Sequence, residues 1–204
     1  MANRNHNGGG PLKTDLTRIQ DYLEWLKTKI YLDSLSDKAK TRALRRGEVY
    51  KCNLGKGIGS EEEKERPCIV LQNDVGNKHS GNTIIAPITH TAGIPSVSVE
   101  LKGNYTYLEA GKEKQLTGYV LLANIMTVSK SRITGSCLAN IRGEMDEIEE
   151  KVMVSLGMFK KYKDLLDKKE RDKAFIKRLL QENYALKEKL DLYERPDSAS
   201  EIHG

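Results

Sequence analysis

The period of the hydrophobic pattern changes twice along this chain, and each change limits what the residues between can become. From Thr14 onward the apolar side chains fall at Leu16, Ile19, Leu23, Leu26 and Ile30. Alternating steps of three and four put them on one stripe of a helix, with Thr14 as its N-cap. At Gly47 the period drops to two. Val49, Tyr50 and Cys52 begin a strand, and further strands are expected around Cys68–Gln72, Thr83–Ile88, Val97–Leu101, Tyr119–Leu122 and Ile125–Val128. Polar or glycine-rich loops separate them at Gly55–Glu65, Asn73–Asn82, Thr89–Pro95 and Lys102–Thr117. Many short strands with regular turn signals predict a small barrel or sandwich. Pro67 and Pro87 lie beside or within these strands, where a missing N–H is best tolerated at an edge, a first position or a bulge.

Helical spacing returns with Met145, Ile148, Val152 and Leu156, which predicts a helix over Glu144–Met158, with Gly157 marking a bend or break. A third helix, highly charged, is expected from Lys160 to Glu194, stopped by Pro196. At 1.5 Å per residue it is about 50 Å long. Its heptads place Tyr162, Lys169, Ile176, Asn183 and Leu190 at one core position and Leu165, Asp172, Leu179, Leu186 and Tyr193 at the other. From Ile176 onward this reads as a coiled-coil seam, in which a buried Asn183 favours a defined register and two strands. Lys169 and Asp172 spoil the earlier half, and a solvated helix with one apolar edge is the alternative. The chain therefore divides into a disordered arm (1–13), an amphipathic helical extension (14–44), a barrel domain (45–159), a charged helix (160–195) and a disordered tail (196–204).

Length and composition are compatible with that plan. A chain of 204 residues can bury one core of ordinary size without staples and still carry accessories. With 31% charged residues and no apolar run near 18, nothing here reads as a membrane span, and MANRNHNGGG lacks the apolar region of a signal peptide. A cytoplasmic location is expected. Cys52, Cys68 and Cys137 are far apart and include no CxxC pair, so they suit neither a disulfide framework nor a zinc site. They read as buried reduced thiols, and no metal or cofactor is expected. The net charge of +5 permits a nucleic-acid partner without requiring one.

The fragments RRGEVYKCNL, GSEEEKERPCIVLQNDVGNKHS, NTIIAPIT and VMVSLGM follow one another in the order and at roughly the spacing of the MazF/PemK toxins. Between Arg46 and Tyr162 the chain resembles that family. The resemblance implies an α+β fold built on a small SH3-like β-barrel, related to CcdB, with a C-terminal helix; the long helices on either side are extensions to it. It further implies a metal-independent, sequence-selective endoribonuclease that cuts single-stranded RNA. Such a toxin acts as a homodimer, with RNA across the dimer and a cognate antitoxin that blocks the groove.

RNA is cut without a metal when a 2′-OH attacks the adjacent phosphorus, leaving a 2′,3′-cyclic phosphate and a free 5′-OH. The site must remove one proton, deliver another and stabilise charge on the non-bridging oxygens. A rigid guanidinium fork beside a hydroxyl meets the electrostatic need. By the resemblance, Arg66 is the catalytic arginine, Thr89 the catalytic threonine and Ser60 a supporting serine. Arginine stays protonated in proteins, so charge stabilisation is the firmer role for Arg66. The loop from Gln72 to Ser80 matches a region beside the family's RNA channel, which makes Asn73, Lys78 and His79 RNA contacts. His79 and His90 are the histidines of the core region, either proton carriers or solvent-exposed loop residues. Asn124 stands where the family tends to carry a glutamine that reads a base; buried hydrogen bonding at a strand end is its competing role.

The chain also departs from the family. Glu61–Glu62–Glu63–Lys64–Glu65 replaces a glycine-containing loop, and its four carboxylates should weaken RNA binding unless they point away. Met126 and Ser129 stand in place of an arginine and an aspartate, so specificity should differ. A non-catalytic interaction module is the alternative reading, because fold does not fix function and the CcdB fold inhibits a topoisomerase by contact. The N-terminal helix either lies over the active site as a built-in inhibitor or packs with the C-terminal helix. The second is expected, since both stripes are apolar and an RNA groove is basic and polar.

Overall fold

A computed structural model describes residues 15–194; the expectations for the arm, Pro196 and the tail lie outside the described residues. Two helices, α1 (Leu16–Ser34) and α2 (Ser36–Ala39), lead into β1 (Glu48–Asn53) and β2 (Glu65–Val70). After α3 (Asp74–His79) come β3 (Asn82–Thr89), β4 (Ser98–Glu100), β5 (Tyr105–Glu109), β6 (Lys112–Leu116), β7 (Tyr119–Leu121), β8 (Met126–Ser129) and β9 (Ile133–Asn140). α4 (Met145–Ser155) closes this unit, and α5 (Phe159–Glu194) belongs to a second unit that begins at Leu156.

The main sheet is antiparallel with order β4–β7–β3–β2–β1–β9, and β8 also pairs with β3. β3 is shared: Asn82 to Ile85 pair with β8, whereas Ile88 and Thr89 pair with β7. The sheet folds around that strand into the expected α+β, barrel-like form. Because successive strand residues face opposite sides, both faces are buried. Val49, Ile69, Ala86, Val120 and Ile141 pack with Met145 and Ile148 of α4. Tyr50, Cys52, Cys68, Val70 and Ile85 form a second cluster with Leu44, Val128 and Ile133. The prolines sit at neither outer edge: Pro67 pairs with Lys51, and Pro87, opposite Cys68, belongs to the last pair of the β2–β3 ladder. Their missing N–H groups fall where that ladder ends and β3 crosses to β7.

Three segments differ from the sequence-based expectation. Lys102–Thr117 contains the β5–β6 hairpin, turned at Ala110 and Gly111 with both φ values positive, 50° and 76°. Ile133–Asn140 is a full strand on β1, with a register shift between Val49 and Lys51. Within the expected loop Asn73–Asn82, α3 forms, and the Asn73 side chain caps it by accepting from Gly76 N at 2.7 Å. One expected buried thiol is also corrected, since Cys137 is exposed.

α1 docks by a face other than its leucine stripe. Asp15, not the expected Thr14, caps it, accepting from Thr17 N at 2.9 Å. Tyr22 donates to the Gly57 carbonyl at 3.0 Å, and Leu32 is buried. Trp25 lies so close to Gly55, at φ +86°, that a Cβ there would sit 2.2 Å from the indole. Arg132 stacks 5.2 Å from the Trp25 ring centroid and donates to Leu54 O at 3.2 Å. Lys56 bridges Asp21 of α1, at 3.0 Å, and Glu63, at 3.3 Å. Leu16, Leu23, Leu26 and Ile30 remain exposed, about 130° round the helix from the docked side chains.

Two further cations tie this region together. Lys130 is buried and donates to the carbonyls of Lys40 at 3.3 Å, Arg42 at 3.0 Å and Asn77 at 2.5 Å; burial pushes its pKa down. Arg42 stacks 5.3 Å from the Tyr50 ring centroid, and its fork donates to the carbonyls of Ile133 and Gly135 on β9.

Candidate active site

The β2–β3 register sets Val70 opposite Ile85, Ile69 opposite Ala86 and Cys68 opposite Pro87. The ladder stops there, two residues short of Arg66 on β2 and of Thr89 on β3, which passes on to pair with Tyr119 of β7. The two prolines end the ladder just before these residues. Neighbouring strand ends thus carry the guanidinium and the hydroxyl.

Arg66 is held at one side only. Its Nε–H donates to the Glu63 carbonyl at 3.1 Å, and Glu62 Oε2 lies 2.8 Å from the same nitrogen. That oxygen is buried without a hydrogen bond of its own, since the Nε–H is aimed at Glu63; the Glu62 contact is therefore charge pairing alone. Among the described residues no acceptor meets the two Nη groups, and the side chain is 34% exposed. The outer fork of the guanidinium, four of its five donors, makes no hydrogen bond among the described residues.

Thr89 is half-buried, and its Oγ1 accepts a long bond from Thr91 N at 3.4 Å, leaving its own proton to donate. Gly118, at φ +123°, fixes the backbone behind it: a Cβ there would stand 2.3 Å from the Thr89 carbonyl. Ser60 is exposed in the turn after Gly59, φ +63°. Its hairpin loop is closed by Leu54 N to Lys64 O at 2.8 Å and Lys64 N to Gly55 O at 2.7 Å, and α1 grips the base of that loop at Gly55 and Gly57. Ser60 makes no hydrogen bond to Arg66 among the described residues.

The four carboxylates of the loop are not a free negative patch. Glu61 accepts from Ile58 N at 2.9 Å, Glu62 faces Arg66, and Glu65 accepts from Thr134 Oγ1 at 3.0 Å. Glu63 faces Lys56, whose hydrogen bond holds the Glu63 carboxyl below the usual carboxylate range. Close behind, the Cys68 thiol donates to the Arg66 carbonyl at 3.5 Å, and neighbouring Cys52 together with burial pushes it up, which favours the protonated thiol over the thiolate.

The remaining expected residues are not gathered at Arg66. Arg66 stands near the start of β2, whereas α3 follows its end, so Lys78 and His79 lie a strand length away, about 17–20 Å. Both are exposed, and Lys78 lines a cleft with Arg42, Arg45, Asp74 and Asn77. Asn73 sits there too, with its side-chain oxygen engaged in the helix cap. His90, exposed directly after Thr89, is the histidine at the Arg66 end. Asn124 lies between the two ends: its turn joins β7 to β8 as they pass the middle of β3, and its amide side chain is unbonded among the described residues. The residues missed from sequence are Glu62 as the partner of Arg66, Gly118 behind Thr89, and Tyr22, Trp25 and Lys56, which fasten α1 to the hairpin loop.

A small antiparallel barrel with a half-engaged arginine and a threonine near one ladder end defines an α+β protein. A model of the PemK-like, MazF-like toxins of type II toxin–antitoxin systems matches residues 45–156, and the chain belongs to that family. It is similar to the Endoribonuclease MazF of Staphylococcus epidermidis, with 33% identity over 118 residues, 56% of this chain and 92% of that protein. Similar solved structures include an endoribonuclease in complex with its cognate antitoxin from a mycobacterial species, at 26% identity and TM-score 0.46, covering 57% of this chain and 97% of that one. MazF from Deinococcus radiodurans is 24% identical with TM-score 0.47, over 57% of this chain and 99% of its own. Both α1 and α5 fall outside the matched span.

Proposed function

We propose that this protein is a metal-independent, sequence-selective endoribonuclease that cleaves single-stranded RNA, and that it is the toxin of a type II toxin–antitoxin pair. Family membership and the endoribonuclease relatives support the activity. The observation that carries the chemistry is the free outer fork of Arg66 at the end of the β2–β3 ladder, beside the strand that ends in Thr89.

In this reading the Nη groups of Arg66 bind the non-bridging oxygens of the scissile phosphate, and Thr89 donates its hydroxyl proton to one of them. The 2′-OH attacks phosphorus and loses its proton as the P–O5′ bond breaks; the departing oxygen takes up a proton to become the 5′-OH. Arg66 stabilises the charge that peaks between these events, where preorganised donors act most strongly. Ser60 lines the entrance from the hairpin loop. Asn124 reads a base, and Lys78 and His79, with Asn73 beside them, contact RNA away from the scissile bond. The protein works in the cytoplasm as a homodimer. The mycobacterial relative, solved with its cognate antitoxin, supports an antitoxin partner. No helix among the described residues is long and apolar enough to cross a membrane.

Glu62 favours a second reading, because a carboxylate 2.8 Å from Arg66 lowers the positive field available to a phosphate. A binding module without catalysis would tolerate that. The two readings separate when purified protein and its Arg66→Ala variant are incubated in EDTA with a long single-stranded RNA. Discrete cuts with 5′-OH ends, lost in the variant, establish the ribonuclease; intact RNA beside well-folded protein gives the lead to the binding module.

A further inference from the structure

α5 runs for 36 residues with no buried side chain. Ile176, Leu179, Leu180, Leu186 and Leu190 are each at least 45% exposed. Backbone bonds alone stabilise an isolated helix only marginally in water, so a helix of this length with an apolar edge needs a partner surface. We propose that the partner is α5 of a second copy, in a parallel, in-register, two-stranded coiled coil over residues 175–194. The inference rests on α5 alone and is independent of the ribonuclease reading.

Core positions alternate as Ile176, Leu179, Asn183, Leu186, Leu190 and Tyr193. A β-branched residue at the first position of a heptad with leucine at the fourth favours two strands. Asn183 then fixes the orientation. In a parallel, in-register pair it meets Asn183 of the second copy, and the two amides bond each other. In an antiparallel pair it faces a fourth-position residue, Leu179, Leu186 or Tyr193 of the other copy. An amide against a leucine is left unpaired, which costs stability that the parallel pair does not lose.

The flanking charges agree with the parallel arrangement. Glu182 of one copy falls beside Lys187 of the other, and Lys189 beside Glu194, and two-fold symmetry repeats each pair. Within its own helix Glu182 has only an exposed contact with Arg178 at 3.7 Å. The seam also limits itself. One heptad earlier, Lys168 would face Lys173 of the second copy while Lys169 and Asp172 entered the core, so the pairing stops before Ile176. The zipped segment would raise the effective concentration of one barrel for another.

The full chain tests this, with Cys137→Ser removing the exposed thiol while Cys52 and Cys68 stay buried. In that background Leu179→Cys and Tyr193→Cys each place a thiol at the seam, whereas Glu188→Cys points away from it. Mild oxidation should join both seam variants into covalent dimers, at yields at least about tenfold above the Glu188 control, since like positions approach disulfide distance only along a parallel seam. Antiparallel helices bring like residues together at one point, so linkage at only one of the two positions overturns the parallel arrangement. Linkage at neither, or equal linkage in the control, overturns the coiled coil itself. In the Tyr193→Cys chain, Glu182→Lys should cut the yield severalfold and Glu182→Lys with Lys187→Glu should restore it. Failure of the double exchange to restore linkage overturns the register.

Discussion

At one end of the β2–β3 ladder Arg66 is held through Nε alone, with its outer fork facing no protein acceptor among the described residues. At the other end Lys130 is buried, and its ammonium donates to three carbonyls, those of Lys40, Arg42 and Asn77. Both cations lie close to backbone, and neither could be judged from charge alone. What separates them is how many of their donors the fold has already engaged. A fully engaged cation joins segments; a half-engaged one keeps donors to spare.

Four experiments sharpen or break that contrast. The largest effect is expected for Arg66→Lys, which keeps the charge but loses the fork: single-turnover RNA cleavage should fall about 10²-fold while the fold is retained. Cleavage within twofold of the parent would show that a point charge suffices. Next is Lys130→Met, which deprives three carbonyls of their donor; urea unfolding should show a loss of about 2 kcal/mol with activity per folded molecule unchanged. A large loss of activity at unaltered stability would move Lys130 into the functional class. Glu62→Gln removes the charge beside Arg66 and should tighten RNA binding about threefold, with the gain shrinking as salt is added. Weaker binding would mean that Glu62 chiefly orients the fork.

The smallest effect lies away from both ends, at Tyr105 on the β5–β6 hairpin. Burial, reinforced by its 2.9 Å hydrogen bond to Glu144, pushes this phenol up to about 12 from an ordinary 10.0. A raised tyrosine pKa means that the folded state keeps the proton longer than the unfolded one. The contribution is thus fully present below pH about 10 and lost as pH rises toward about 12. Unfolding midpoints measured across that window should decline more steeply for the parent than for Tyr105→Phe; equal slopes would show that Tyr105 does not carry the dependence.

Much of the barrel was legible because its strands alternate cleanly. Val49 against Tyr50 and Ile69 against Cys68 and Val70 sort to opposite clusters as a period of two requires. β9 was not legible: a register shift interrupts its pairing with β1, and Gly135, Ser136 and Cys137 in its middle are all exposed. The β5–β6 hairpin was hidden for another reason. Its two-residue turn needs positive φ at both positions, a demand usually signalled by Asn-Gly or Asp-Gly, and here Ala110 stands first. In α1 the period identified the helix but not its docked face, because Tyr22 and Trp25 bind through a carbonyl and a glycine that no apolar count registers. At the site, the resemblance picked Arg66 and Thr89, and the β2–β3 ladder ends just short of both. Glu62 as a partner was not foreseen, since a carboxylate near a phosphate site reads as a liability until its contact with the arginine is seen.

The grip of Arg42 on β9 bears on how the protein behaves at high concentration. β9 ends the main sheet, and an outermost strand with unpaired carbonyls is a template on which another chain can add a strand. The guanidinium already binds the carbonyls of Ile133 and Gly135, and its stacking on Tyr50 keeps it there. Arg42 therefore acts as a guard on that stretch of edge against strand addition, and replacing it should first show as aggregation on concentration, before any change in what the site can do.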